Sequence, residues 1–446
     1  MSDIAELRPP ADDRSDTGRP VSGWYRYYVL LVLCLVGVFA SLDRVIAGVL
    51  LQPIKNEIGA SDTAMGFLVG FTFSIFYAVL GIPIARWCDV GVRKSILALG
   101  LGLWSGLTVL FGMAHTFLHL ALCRVGVAVG EATAYPATYS LIGDYFSREK
   151  RAAAIAIFTA ALKVGSVGGV IIAAWMAQQY GWRAAFMILG IPGVCLALLL
   201  WFTVIEPKRG AMDEKDSEPP PHSFSDAFSV IIRQRIIVIL ALALAFGALP
   251  PLGAWLGPFF LRVHHLSLVQ MALSVSLMTA CGSILGTLGG GFLWSYLARR
   301  GVHEKWLPRL VAIAYLLASA SLVVVLFYPD MKVILAANLC VAFFVTLGQA
   351  PTLTLVVNRA SPYIRGLTVS LVMMVVTFAD GGVGPALVGA VNDLLAPHFG
   401  DQAVRYSLLF VCGTSYLAAA GLMFYASRLL ARAKASGAIR GELYDD

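Results

Sequence analysis

Twelve runs of mostly apolar residues, each long enough to cross a bilayer, leave this chain little choice of fold. They occupy residues 25–50, 64–86, 95–114, 117–140, 152–177, 184–205, 236–261, 271–297, 307–328, 332–357, 367–391 and 405–430. A spanning helix needs about 20 such residues. In hydrocarbon every backbone N–H and C=O must find its partner within the chain, so runs of this kind fold as helices. With 59% hydrophobic and only 13% charged residues in 446, the composition excludes an ordinary soluble domain. The expected class is an all-α integral membrane protein with twelve transmembrane helices.

Charge sets the orientation. Of the 33 Lys and Arg, three lie within spans (Arg44, Arg124, Lys163) and five on one side (Lys55, Arg183, Arg262, Lys332, Arg405), which leaves the rest on the other side. The excess of positive charge marks the cytoplasmic face, so both termini are expected in the cytoplasm of an inner or plasma membrane. The first 23 residues mix both signs and lack a short apolar core with a cleavage site, so no cleaved signal is expected and the first span targets the chain. The basic balance follows from this bias; no basic patch interleaved with aromatics points to nucleic acid. The seven Cys are scattered without C-x-x-C spacing, and no His falls at the midplane. Phosphate loop, H-E-x-x-H and nucleophile elbow are all missing from the sequence. No metal, no cofactor and no enzymatic activity are expected.

The chain repeats itself. Ala85-Arg86-Trp87-Cys88-Asp89 followed by Arg93-Lys94 is echoed by Gly291-Phe292-Leu293-Trp294-Ser295 followed by Arg299-Arg300, and Gly130-Glu131-Ala132 by Gly348-Gln349-Ala350. An internal duplication with six spans per half follows. The predicted organisation is a cytoplasmic tail at 1–23, a six-helix bundle at 24–206, a charged and Pro-rich cytoplasmic linker at 207–235, a second six-helix bundle at 236–430 and a cytoplasmic tail at 431–446.

Twelve spans in this duplicated arrangement, the loop ARWCDVGVRK after span two and the Gly-rich spans five and eleven resemble the major facilitator superfamily. More narrowly, CRVGVAVGEATAYPATYSLIGDYFSREK, YGWRAAFMILGIPG, IEPKRG and WLGPFFLRVHHLS, together with Asp43-Arg44, resemble the spinster-type lipid transporters, here as a bacterial homologue. The resemblance implies a monomeric carrier that rocks its halves about a central cavity, moving a lysolipid or sphingosine-phosphate-like cargo. It also implies a role in proton coupling and gating for the Asp-Arg of span one and the Glu of span four.

The residues carry a related reading of their own. At 1.5 Å per helical residue, Asp43 lies roughly 6 Å beyond the middle of span one and Glu131 close to the middle of span four. Arg124, seven residues earlier, shares a face with Glu131. Lys163 and Asp380 also fall near the midplane. Charges at that depth cost at least roughly 3 kcal/mol each on insertion scales and face a partner or a cavity. Asp43 and Glu131 are the proton-coupling candidates, because burial moves carboxylates toward neutrality unless a cation holds them ionised. Arg44, Arg124, Lys163, Tyr135 and Gln349 form the substrate and charge-relay set, since an arginine fork suits a phosphate or carboxylate. The competing reading makes Asp43 with Arg124, or Arg44 with Glu131, a salt bridge that merely locks the bundle.

Several further assignments are open or weaker. Lys163 either snorkels, pairs with an acid or touches cargo. Asp380, beside Gly381, Gly382, Gly384 and Pro385, serves either a helix interface or a function. Gln349 replaces Glu131 in the second copy, so proton work is assigned to the first half. Pro250, Pro251, Gly247, Gly253 and Pro258 make span seven either a bending gate or an irregular helix end. In the loop after span two, the resemblance implies a conformational lock of Asp89, Arg93 and Lys94, with Asp89 against the start of span eleven and Arg93 reaching across the cytoplasmic gap. The function expected is proton-coupled transport of an amphiphilic anion, with a proton-coupled multidrug exporter and a non-transporting receptor or scaffold as alternatives.

Overall fold

The structure of the protein is a computed structural model that describes residues 23–208, 229, 231–359 and 365–435. Most of the proposed linker, most of both proposed tails and the side chain of Asp89 therefore lie outside the described residues. Among the described residues, ten helical runs are long and apolar enough to cross a membrane. Two of these runs are too long for one crossing. Ala153–Thr203 would measure about 75 Å as a single rod, and it is divided at Gly181, whose φ of 83° only glycine adopts readily. Thr368–Arg432 is divided at Gly400, with φ 53°. Among the described residues the crossings therefore number twelve, as the apolar runs predict.

We label them α1 (Gly23–Val49, continued outward by Leu51–Ile58), α2 (Asp62–Cys88), α3 (Arg93–Gly112) and α4 (Phe117–Tyr145). The two arms of Arg148–Thr203 are α5 and α6. The second half holds α7 (Arg235–Val263), α8 (Leu268–Arg299), α9 (Trp306–Phe327) and α10 (Met331–Arg359). It ends with α11 (Arg365–Phe378 and Gly384–Phe399, joined by Ala379–Val383) and α12 (Ala403–Ala435). Helix starts carry the expected caps: the side chains of Ser61 and Thr116 accept from backbone N–H groups, and Ser267 with Gln270 forms a capping box.

The duplication extends to the helix defects. α4 is broken at Ala132 and Thr133, directly after Glu131, and α10 at Gly348, directly before Gln349. Wide π-turns fall at Phe67–Phe71 in α2 and at Ala272–Ser276 in α8, about the same distance apart as the sequence echoes. Such turns gather at functional sites. α7 is interrupted from Leu249 to Pro251, where proline removes helical hydrogen bonds.

The halves are joined at the end of the molecule bearing Arg262, the end sparse in positive charge. There Arg262 of α7 pairs with Asp62 at the start of α2, while the Asp393 carboxylate on α11 accepts from the backbone N–H groups of Asp62 and Thr63 at 3.0 and 2.7 Å. Close backbone approach makes this seam: a Cβ on Gly66 would clash with the Pro385 carbonyl, and one on Gly389 with the carbonyl of Asp62. At the opposite end Arg93, Lys94, Arg309 and Arg359 each bond within their own half.

Candidate transport cavity

α3 and α4 cross closely enough to place the first acid. Gly100 and Gly130 face each other, so that a Cβ on either would stand 2.8 Å from the carbonyl oxygen of the other. This contact seats Glu131, with no exposed surface, in the last turn before the α4 break. Arg44 of α1 reaches it: Nε donates to Glu131 Oε2 at 2.7 Å. The same guanidinium lies against three rings, 5.6 Å from the Phe73 centroid, 4.8 Å from Tyr77 and 5.2 Å from Tyr135. An aromatic cage stabilises a desolvated cation. Nη2 of Arg44 and Oε1 of Glu131 nonetheless have no protein partner.

Asp43 and Arg124 are both buried, but they do not form the carboxylate pair that one reading of the sequence allows. Nη1 of Arg124 donates instead to the backbone carbonyl of Asp43, at 3.2 Å. Oδ1 of Asp43 and Nε of Arg124 are left without protein partners, and Arg124 lies over the Phe73 ring at 4.7 Å. A fully neutralised structural bridge would satisfy its donors and acceptors. This cluster keeps several unspent, on both its acids and both its bases.

The arginines stand between the acids and a cavity of about 780 Å³ enclosed by the two halves. Arg44, Arg124, Phe73 and Lys163 line it from the first half, and Gln349 and Asp380 from the second; Asp43 and Glu131 lie behind the arginines, off its wall. Lys163 is exposed on this wall. Tyr135 is off the wall, stacked on Tyr139 at 6.1 Å and in contact with Arg44. Asp380 itself is not in a packed helix interface. Its neighbours make that contact, Gly381 and Gly382 against Ser74 and Gly384 against Leu249, while Asp380 is exposed to the cavity.

Arg93 and Lys94, expected in a lock between the halves, both bond within the first half. Arg93 does not reach across to the second half here. It is 1% exposed and bonded to Asp144, Ser140, Glu206 and the carbonyl of Pro207, all in its own half. Lys94 likewise donates to the carbonyl of Val204 at 2.9 Å. Two carboxylates offset a cation at the start of α3, where the helix dipole disfavours it.

The residues that close the other end were not singled out from sequence. Both oxygens of Asp62 receive Arg262 at 2.7 Å, and Lys55 adds a third contact at 2.7 Å. Gln52 accepts from Nε of Arg262 at 2.6 Å, and Asn392 of α11 donates to Asp62. The sequence signal for them is slight: Lys55 and Arg262 are among the few positive residues on that side.

Helices crossing the bilayer around a charged central cavity, closed at one end, are the architecture of a membrane transporter. The sequence matches the description "Major Facilitator Superfamily" over residues 33–385, and the chain belongs to that superfamily. It is 31% identical to an MFS-type efflux pump of Mycolicibacterium smegmatis over 93% of this chain and 95% of that protein. It is 28% identical to protein spinster of Drosophila melanogaster, over 62% of this chain and 47% of that protein. Among solved structures it is similar to a bacterial homologue of the human lysosomal transporter spinster in an inward-facing, unoccupied conformation. That match has a TM-score of 0.83, 29% identity and coverage of 92% of this chain and 98% of the other. The occupied inward-facing form gives 0.76. Within the superfamily the chain is spinster-like, and it is a transporter rather than an enzyme.

Proposed function

We propose that this protein is a proton-coupled carrier of an amphiphilic anion, a lysophospholipid or a sphingosine-phosphate-like lipid, working in an inner or plasma membrane with both termini in the cytoplasm. The observation that carries the reading is the placement of two buried carboxylates directly behind two cavity-facing arginines. Protonating Glu131 neutralises the partner of Arg44, and the freed guanidinium favours an anionic head group at the cavity wall. Deprotonation draws Arg44 back and releases the anion. Proton and cargo are thereby coupled through one side chain, and the mostly apolar remainder of the cavity accommodates a tail. With the Arg262 end outside, the seam between Asp62 and Arg262 closes the outer face, and the state is inward-facing. The likeness to inward-facing spinster-type structures supports that orientation.

The test is flux in proteoliposomes under an imposed pH gradient, with labelled lysophospholipid and sphingosine phosphate. Asp43→Asn and Glu131→Gln are expected to lose the pH dependence of flux, and Arg124→Ala to weaken cargo binding. Parent-like pH dependence in both acid variants overturns the coupling. A second reading, a multidrug exporter, is favoured by the efflux-pump relative; it predicts flux of cargo that carries no negative charge.

A further inference from the structure

We propose that the cavity is built for a zwitterion: Arg44 and Arg124 take the anionic group of the cargo, and Asp380 takes a cationic group on the same molecule. This inference rests on the carrier reading above and narrows its substrate class. Four charged residues line the cavity, and Asp380 is the acid among them. It is exposed there, and among the described residues no Lys, Arg or His lies within 4.0 Å of it in an ion pair. A carboxylate at mid-depth without a counter-charge is costly, and a ligand cation offsets that cost.

The two charge sites are neighbours. The Phe73 ring lies beneath both arginines, at 5.6 Å from Arg44 and 4.7 Å from Arg124. The next residue, Ser74, also lines the cavity and packs on Gly381 and Gly382 beside Asp380. The anion site and the carboxylate thus flank one short stretch of α2. A head group whose phosphate and ammonium are a few bonds apart, seated against this stretch, would meet both. The π-turn Ala379–Val383 holds Asp380 on the wall, because its glycines bring α11 against α2 and leave the intervening side chain turned to the open volume. With Lys163, three positive residues share the wall with Asp380, so the anionic group is the primary anchor and the ammonium the discriminating one.

The experiment compares binding of two probes with the same acyl chain, lysophosphatidylethanolamine and lysophosphatidic acid, to the purified full-length protein. The parent is expected to prefer the ethanolamine probe by about tenfold, the equivalent of roughly 1.4 kcal/mol. Asp380→Asn, of the same shape, is expected to abolish the preference by weakening that probe alone, and Asp380→Glu to restore it. A parent without preference, or an Asp380→Asn protein that keeps it or weakens both probes equally, overturns the proposal. So does an Asp380→Asn protein whose binding is unchanged but whose flux has lost its pH dependence, because Asp380 would then be a proton site. Arg124→Ala tests the underlying reading separately: it should weaken both probes. If it weakens neither while Asp380→Asn still abolishes the preference, the anion-site assignment fails and the cation site stands.

Discussion

Arg262 on α7 grips Asp62 at the start of α2 with two nitrogens, each 2.7 Å from a carboxylate oxygen, and so fastens one half of the molecule to the other. Asp62 is 1% exposed and also holds Lys55. Removing one member of a buried pair costs about 3–5 kcal/mol because the other charge stays behind, and a shift of that size is enough to reverse a two-state balance. Arg262→Ala should therefore open this end. Spin labels at the exposed positions Asn56→Cys and Gln402→Cys, one in each half, should give one short distance in the parent and a second, longer population in the variant. An unchanged distance distribution would show that the glycine seam alone keeps the end shut.

The aromatic cage around Arg44 predicts a graded response. Each cation–π contact contributes about 0.5–2 kcal/mol, and Tyr135 supplies one of three. Tyr135→Leu should weaken binding of an anionic amphiphile by about 2- to 30-fold, whereas Tyr135→Phe, which keeps the ring, should bind as the parent does. Calorimetric titration separates the two. Equal losses in both variants would transfer the role from the ring to the hydroxyl.

The crossing of α3 and α4 predicts a stability effect coupled to a functional one. Gly130 has the carbonyl of Gly100 and the Trp104 side chain within 3.0 Å of where a Cβ would stand. Gly130→Leu should destabilise the fold by about 1–3 kcal/mol through overpacking and displace Glu131 next to it, lowering both the thermal unfolding midpoint and proton-driven flux. Gly168, whose Cβ position is open, is the control: Gly168→Ala should change neither. Parent-like behaviour of Gly130→Leu would mean the two helices can part without loss.

Much of this organisation is legible in the sequence because hydrocarbon imposes a length rule and a burial rule at once. Length identifies the twelve crossings, including the two pairs merged into continuous helix at Gly181 and Gly400. Burial cost picks out Asp43, Arg44, Arg124 and Glu131, since charges are too expensive there to be incidental. What distance along a helix does not reveal is the partner. Arg44 and Glu131 are 87 residues apart and meet through their side chains, whereas Arg124 reaches Asp43 only at its backbone carbonyl. The Asp62 and Arg262 seam was illegible for a different reason. At a span end, acids and bases are inexpensive, so their presence raises no question until the two halves are docked.

Titration of His264, two residues from Arg262, is expected to make this end of the molecule sensitive to pH. His264 follows α7, two residues after Arg262, with its ring 5.2 Å from Phe259 and 5.5 Å from Phe260 and its Nε2 without a protein partner. Burial, with Arg405 and then His265 adding repulsion, lowers its pKa below the ordinary histidine value. The unfolded chain then takes up the proton first, so the contribution of neutral His264 to stability is fully present above about pH 6.5. It is lost as pH falls through the lowered folded value. The thermal midpoint of the parent should drop more steeply between about pH 7.5 and pH 5 than that of His264→Phe, which keeps the ring contacts and cannot be protonated. The spin-label pair at positions 56 and 402 should show the longer population growing over the same interval in the parent alone. Identical slopes and identical distances in the two proteins would remove His264 from the control of this end.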